Sequence, residues 1–186
     1  MEQGYIDSIL KYVLKNKYTH FLGIFTLNEF KSLKITKKKC TLILFIDTIS
    51  VKKGQWVCIL KINKNLYFMD SYGLNPQLYH KKIENKYLNI KYYFLYRLQS
   101  NYSTICGVYT IFFIHLIITS NFNLKWFTNI VNNTFTKSKL NNDRKMVSYI
   151  TKIYPFFTRK HCIKYFCNPD FILNFKFCTT KICEKK

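Results

Sequence analysis

A thiol, a carboxylate and two side-chain amides stand along this chain in an order that could serve acyl-transfer chemistry. The thiol is Cys106, in "LQSNYSTICGVYTIFFIHLI", where a polar loop gives way to an apolar run. Thiolate is the reactive form of cysteine, and the unpaired N–H groups of a helix N-terminus favour it. Gly107, directly after it, allows close backbone approach. Gln99, upstream across the loop, offers an amide donor for the oxyanion of a tetrahedral intermediate. Asp70, in "LYFMDSYG", is an acid, and Gln55, in "GQWVCI", is an amide that does not titrate near neutrality. Taken alone, a cysteine ahead of an apolar helix reads more readily as a small buried residue than as a nucleophile.

The surrounding elements must position these groups. Ile6, Ile9, Leu10, Val13 and Leu14 share one face at helical spacing, so residues 5–16 read as an amphipathic helix. "HFLGIFTLNEF" reads as a tight segment punctuated by Gly23. Residues 39–48 read as a buried strand. Residues 54–62 read as a second, alternating strand, and "LYFMDSYG" as a third that ends at Gly73. A helix is expected over 77–90 and another strand over 90–98. Residues 106–118 are apolar on nearly all sides and predict a buried central helix. The Asn-rich stretch 121–142 reads mostly as loop, and helical spacing returns from Asp143 until Pro155 breaks it. The fold class is therefore α+β, a mixed sheet packed between helices.

The chain has 186 residues, 48% of them hydrophobic, enough for one well-cored domain. The formal charge is +21, from 30 basic against 9 acidic residues. Only Arg97, Arg144 and Arg159 are arginines, and lysines meet phosphates as point charges rather than reading base edges. Sequence-independent contact with nucleic acid is the expectation, with Lys37, Lys38, Lys39, Lys52 and Lys53 as basic clusters near strand ends. A solvated loop is the bland alternative for those clusters. No secretory signal is visible, and the apolar run Ile105 to Thr119 falls short of the about 20 residues that a membrane span needs. Seven cysteines leave at least one free or paired with another chain. Cys162, Cys167, Cys178 and Cys183, with His161 beside them, give two wide C-x₄-C pairs. Ordinary thiols are the first reading of these, with zinc as the alternative.

Taken together and in order, these segments resemble the adenovirus-type maturation proteases, the adenain family, from the clan that also holds the ubiquitin-like-protein proteases. "HFLGIF" looks like that family's Phe-Leu-Gly segment. "GQWVCI" looks like its Gly-x-His-Trp strand, "LYFMDSYG" like the strand that presents its acid, and Gln99 with Cys106–Gly107 like its oxyanion glutamine and nucleophile. "YPFFTRKHCIKYF" is similar to its C-terminal helix. The resemblance covers residues 1–167 as one domain and leaves 168–186 as a Cys-, Phe- and Lys-rich tail. It implies a papain-like fold, with Cys106 as nucleophile, Asp70 as orienting acid and Gln99 as oxyanion donor. Trp56 would wall the cleft, with Gly107 and His20 beside it. It also implies cleavage of virion precursor or capsid proteins, inside the virion and the host cell nucleus, by a monomer that needs no metal and takes DNA as an activating cofactor.

The chain departs from that pattern at Gln55, which stands where the family has its base histidine. Glutamine cannot take the thiol proton or hand one to a leaving amine. Loss of a positioned base typically costs on the order of 10²–10⁴-fold. Three readings follow: a pseudoenzyme, a site in which another histidine (His20 first, then His80 and His115) substitutes, or an unusual hydrolase that uses Gln55 itself. Between Cys58 and Cys106 there is no cysteine, so a disulfide-linked activating peptide of the adenovirus kind is not expected. A non-catalytic virion or DNA-binding component, and a basic nucleic-acid-binding domain unrelated to proteases, are the competing classes.

Overall fold

The computed structural model describes residues 1–48, 51–75, 90–92, 96–101 and 103–157, excepting the side chains at 47, 48, 51–53, 90 and 92. Helix α1 (Gln3–Leu14) runs into a 3₁₀ turn (Lys15–His20), strand β1 (Phe21–Thr26) and helix α2 (Leu27–Ser32). Strands β2 (Lys39–Thr48), β3 (Val51–Ile62), β4 (Asn65–Met69) and β5 (Ile90–Tyr92) follow. Three helices complete the described chain: α3 (Cys106–Thr119), α4 (Leu124–Thr134) and α5 (Lys139–Ile153). The architecture is α+β.

Among the described residues one five-stranded sheet has the order β1-β2-β3-β4-β5. It is mixed: β1–β2 and β4–β5 are parallel, while β2–β3 and β3–β4 are antiparallel. The alternation of β2 and β3 sends their side chains to two separate cores. Leu42, Leu44, Ile46, Val57 and Ile59 meet Phe30 of α2 on one face. Ile43, Trp56, Cys58 and Leu60 face α1, α3 and α5 on the other. Helix α3 lies in the larger core, buried from Cys106 through Ile114 and again at Ile117 and Ile118. An element apolar on every side can be stable only where it is covered on every side. Here α1, β3 and α5 pack around it. The stripe on α1 that does this is Ile6, Ile9, Leu10 and Leu14.

Several elements differ from the sequence expectations. "FLGIFT" is an edge strand rather than a tight segment. Its register shifts between Phe21 and Ile24, where Gly23 takes φ 127°. A glycine tolerates that backbone and lets the strand bulge without ending it. Helix α2 then starts on a capping box, with Thr26 N–H donating to Glu29 at 2.7 Å and Glu29 N–H donating back to the Thr26 hydroxyl. Strand β4 stops at Met69, short of the expected Gly73, because the Asp70 carboxylate takes the N–H groups of Tyr72 and Leu74, both at 3.0 Å. A carboxylate that captures backbone donors two and four residues on makes a turn in place of a ladder. Residues 96–98 are not strand either, and among the described residues of the expected strand 90–98 the strand is Ile90–Tyr92. The expected loop 121–142 instead contains α4, which Asn123 caps by accepting from Trp126 N–H, with Phe127 and Val131 buried four residues apart. Asparagine there is a start signal rather than a breaker. The expected helix 77–90 falls almost wholly outside the described residues, as do the tail, His80, His161 and the four distal cysteines.

Candidate functional site

Gln55 sits near one end of β3, paired with Ile46 of β2 and beyond the last residue of β4. Its side chain therefore reaches the turn that follows β4. Its amide donates to Asp70 Oδ1 at 2.9 Å and to the Ser71 hydroxyl at 3.4 Å. Asp70 and Gln55 are both buried, 2% and 3% exposed. Ser71 passes the network on, donating to Gln99 Oε1 at 2.6 Å.

The approach of Gln99 depends on a glycine. Gly73 has φ 65°, and a Cβ there would lie 2.5 Å from the Tyr96 carbonyl carbon. Backbone 96–97 can thus lie directly against the turn. Leu98 and Gln99 N–H both donate to the Ser71 carbonyl, at 2.8 and 2.9 Å. Arg97 clamps the same loop, its guanidinium 4.5 Å over the Tyr72 ring and its Nε donating to the Gln99 carbonyl at 2.8 Å. The Gln99 amide nitrogen donates to the Ser103 carbonyl at 2.8 Å and lies 3.3 Å from both the Tyr72 and Ser103 hydroxyls. Its donors are engaged by Ser103 of its own loop and by Tyr72 of the turn after β4.

Cys106 opens α3 and is 6% exposed. Burial pushes its thiol above the ordinary range, against the backbone N–H groups of Trp56 and Gly107 and the Met1 amino group, which pull the other way. The Asp70 charge adds to the upward push. Tyr72 is pushed up to about 12 by burial first and then by Cys106. Cys106, Asp70, Tyr72 and the backbone of Trp56 therefore share one electrostatic neighbourhood. Asp70 lies close to Cys106 with an amide, not an imidazolium, as its side-chain donor, so a thiolate would meet an acid with no intervening positive charge from Gln55. Such a thiol stays protonated.

The remaining expected site residues divide by location. Trp56, 7% exposed, packs against the Phe45 ring in a tilted arrangement, centroids 4.5 Å apart, and donates its indole N–H to the Met1 carbonyl at 3.0 Å. Gly107 is buried beside it. His20 does not belong with them, which corrects its assignment to the cleft and its candidacy as a substitute base. Its Nδ1 lies 3.5 Å from the Lys39 carbonyl and its ring packs on Phe122. Lys39 pairs with Ile62, and from Ile62 back to Gln55 β3 runs about 23 Å. His115 is no better placed, about 13 Å along α3 from Cys106. Its ring meets the Tyr149 hydroxyl, and burial holds its pKa down. The lysines separate too. Lys37, Lys38 and Lys39 are exposed at the Ile62 end of the sheet, near exposed Lys64, whereas Lys52 and Lys53 lie at the opposite end of β3.

Asp143 of α5 went unnoticed in the sequence. It is fully buried and accepts from Ser100 N–H at 3.3 Å, the Ser100 hydroxyl at 2.5 Å, the Ser103 hydroxyl at 2.8 Å and the Tyr109 hydroxyl at 2.9 Å. It thereby fixes both ends of the loop that follows Gln99. An acid in "NNDRK" gives no spacing signal, since its partners are distant in sequence. Ser71, Tyr72 and Ser103 escaped for the same reason.

Among the described residues no group of three His, Cys, Asp or Glu side chains is arranged to hold a metal ion. No described helix is long and apolar enough to cross a membrane. Neither a protein-family model nor a curated protein matches this chain.

Proposed function

We propose that this chain is an adenain-like cysteine-peptidase scaffold whose hydrolytic chemistry is impaired at the base, retained as a non-catalytic protein. The observation that carries the reading is the buried 2.9 Å hydrogen bond from Gln55 to Asp70, beside a cysteine that opens the central helix. A base histidine at Gln55 would have the same carboxylate to orient it, and that carboxylate shares an electrostatic neighbourhood with Cys106. Glutamine keeps the hydrogen bond to the acid and drops the proton transfer. The Gln99 amide, held by Ser103 and Tyr72, would have to turn before it could face an oxyanion. The resemblance to the adenain family supplies the ancestral substrate, virion precursor proteins, and a viral setting with monomeric action.

The test is the Gln55→His variant beside the parent, each with a peptide substrate, with and without DNA. The parent should stay near background. The variant should gain cleavage that Cys106→Ala abolishes. Equal Cys106-dependent cleavage by the parent would refute the impaired-enzyme reading.

Retention as a nucleic-acid-binding protein is favoured by the exposed Lys37, Lys38 and Lys39 and by a charge of +21. Affinity for random duplex DNA should fall steeply with salt, by about 10³–10⁵ from low to moderate ionic strength if 6–10 phosphates are neutralised. A flat response would argue for a protein partner.

A further inference from the structure

Four aromatic side chains are exposed among the described residues, and two of them touch. Tyr12, near the end of α1, is 45% exposed, and Phe156, just past α5, is 62% exposed. Their ring centroids lie 5.9 Å apart, and the half-buried Tyr154 ring meets each of them at 5.3 Å. Core contacts fix this ledge from behind. Tyr154 also meets Tyr5 at 6.0 Å, and Tyr5 stacks with the buried Phe157 ring at 6.2 Å. Phe157 N–H donates to the Tyr154 carbonyl at 2.9 Å, closing a turn through Pro155, whose ring fixes its own backbone. The rings at the front are thus held in place yet open to solvent, which lowers the ordering cost of binding.

The charge around the ledge has one sign. Residues 8–16 and 144–157, which supply its two sides, contain no Asp or Glu. Lys11 and Lys152 stand exposed in the last turns of α1 and α5, where they offset helix ends that would otherwise repel an anion. Exposed Lys15 lies one turn beyond Tyr12 on the same side of the helix. Asp7, the nearest acid along α1, is turned about 140° around the helix from Tyr12 and accepts the Tyr18 hydroxyl at 2.6 Å. Beyond Lys15, the 3₁₀ turn carries exposed Lys17 toward Lys37, whose ammonium donates to the Thr19 carbonyl at 2.5 Å. Open ring faces flanked by lysines match a polyanion whose bases are unpaired, because a base inside a duplex has no face to offer. We propose that Tyr12, Tyr154 and Phe156 form a stacking platform for single-stranded nucleic acid, with Lys11, Lys15 and Lys152 meeting its phosphates. The platform sharpens the nucleic-acid reading by naming a place and a strandedness, and it owes nothing to Cys106 or to peptidase chemistry.

The test is fluorescence anisotropy of the full chain with a labelled oligo-dT and, separately, with a duplex of equal length. Phe156→Ala should weaken oligo-dT binding by about 5- to 100-fold and leave duplex affinity unchanged. Tyr12→Ala should act in the same direction, whereas Tyr12→Phe and Phe156→Tyr, which keep a ring, should bind as the parent does. Replacing Lys11, Lys15 and Lys152 together by Gln should lower the slope of log affinity against log salt by about 2 for oligo-dT, while Phe156→Ala leaves that slope alone. The duplex arm keeps this result separate from the wider nucleic-acid reading, which a flat salt response on duplex would defeat by itself. Unchanged oligo-dT affinity in both alanine variants would overturn the platform, and so would an equal loss on oligo-dT and duplex. Binding to vesicles of mixed neutral and anionic lipid that Phe156→Ala removes, with oligo-dT affinity intact, would assign the ledge to a membrane surface and overturn it as well.

Discussion

Asp70 and Asp143 are both buried acids in a chain with 30 basic residues and only 9 acidic ones, and they are held differently. Asp70 is a local organiser. It takes Tyr72 and Leu74 N–H groups from its own turn, and Gln55 is the donor it receives from another strand. Asp143 is a long-range organiser, and every donor it receives comes from outside its helix, from Ser100, Ser103 and Tyr109. The difference teaches where the site's shape resides: the turn can form by itself, but the loop carrying Gln99 is held to α5 through Asp143.

That contrast can be broken most severely at Asp143. Asp143→Ala leaves buried donors from two serines and a tyrosine without their acceptor, and should cost about 3–5 kcal/mol in urea unfolding. Asp70→Ala should cost less, about 1–3 kcal/mol, because its backbone donors lie in a surface turn that water can reach on opening. Equal losses would remove the distinction between a local and a long-range acid.

Asp143 also makes stability depend on pH. Burial pushes the Asp143 pKa up, against hydrogen bonds from Ser100, Ser103 and Tyr109 that pull it down. Its folded value therefore lies above the unfolded one, near about 3.9. In that window the unfolded chain has released a proton that the folded chain still holds. Stability from this group is full below the unfolded value and falls as pH rises through the folded value. Unfolding free energy measured from about pH 4 upward should show this decline, and Asp143→Asn should flatten it.

The smallest effect tests the bridge between them. Ser103 gives its hydroxyl to Asp143 and its carbonyl to Gln99. Ser103→Ala should cost only about 0.5–1.5 kcal/mol, because the carbonyl remains. A double-mutant cycle with Asp143→Asn should show coupling of about 0.5 kcal/mol or more, and none with Asp70→Asn.

Much of the frame was legible in the sequence for local reasons. The α1 stripe, the alternation in β2 and β3 and the all-round apolarity of α3 each encode burial through a repeat of a few residues. Strand β1 and helix α4 were not, because Gly23 and Asn123 read as breakers until the bulge and the cap are seen. Within the site, Gln55 lies on β3 and Asp70 just past the end of β4, and one tight turn joins those strands, so their meeting follows from the hairpin. His20 appeared eligible because its neighbours resemble a cleft segment, but the parallel register of β1 with β2 carries it to the far end of the sheet.

By itself the sequence determined the layered α+β frame, the high positive charge and a non-titrating amide at Gln55. Those depend on residue type and short-range periodicity. Only the tertiary structure decided that Ser71 and Tyr72 meet the Gln99 side chain and that Asp143 anchors the loop that follows it. These are contacts between segments far apart along the chain, and no local pattern encodes them. They exist because a polar group shut inside a folded core must find a hydrogen-bond partner wherever the fold supplies one.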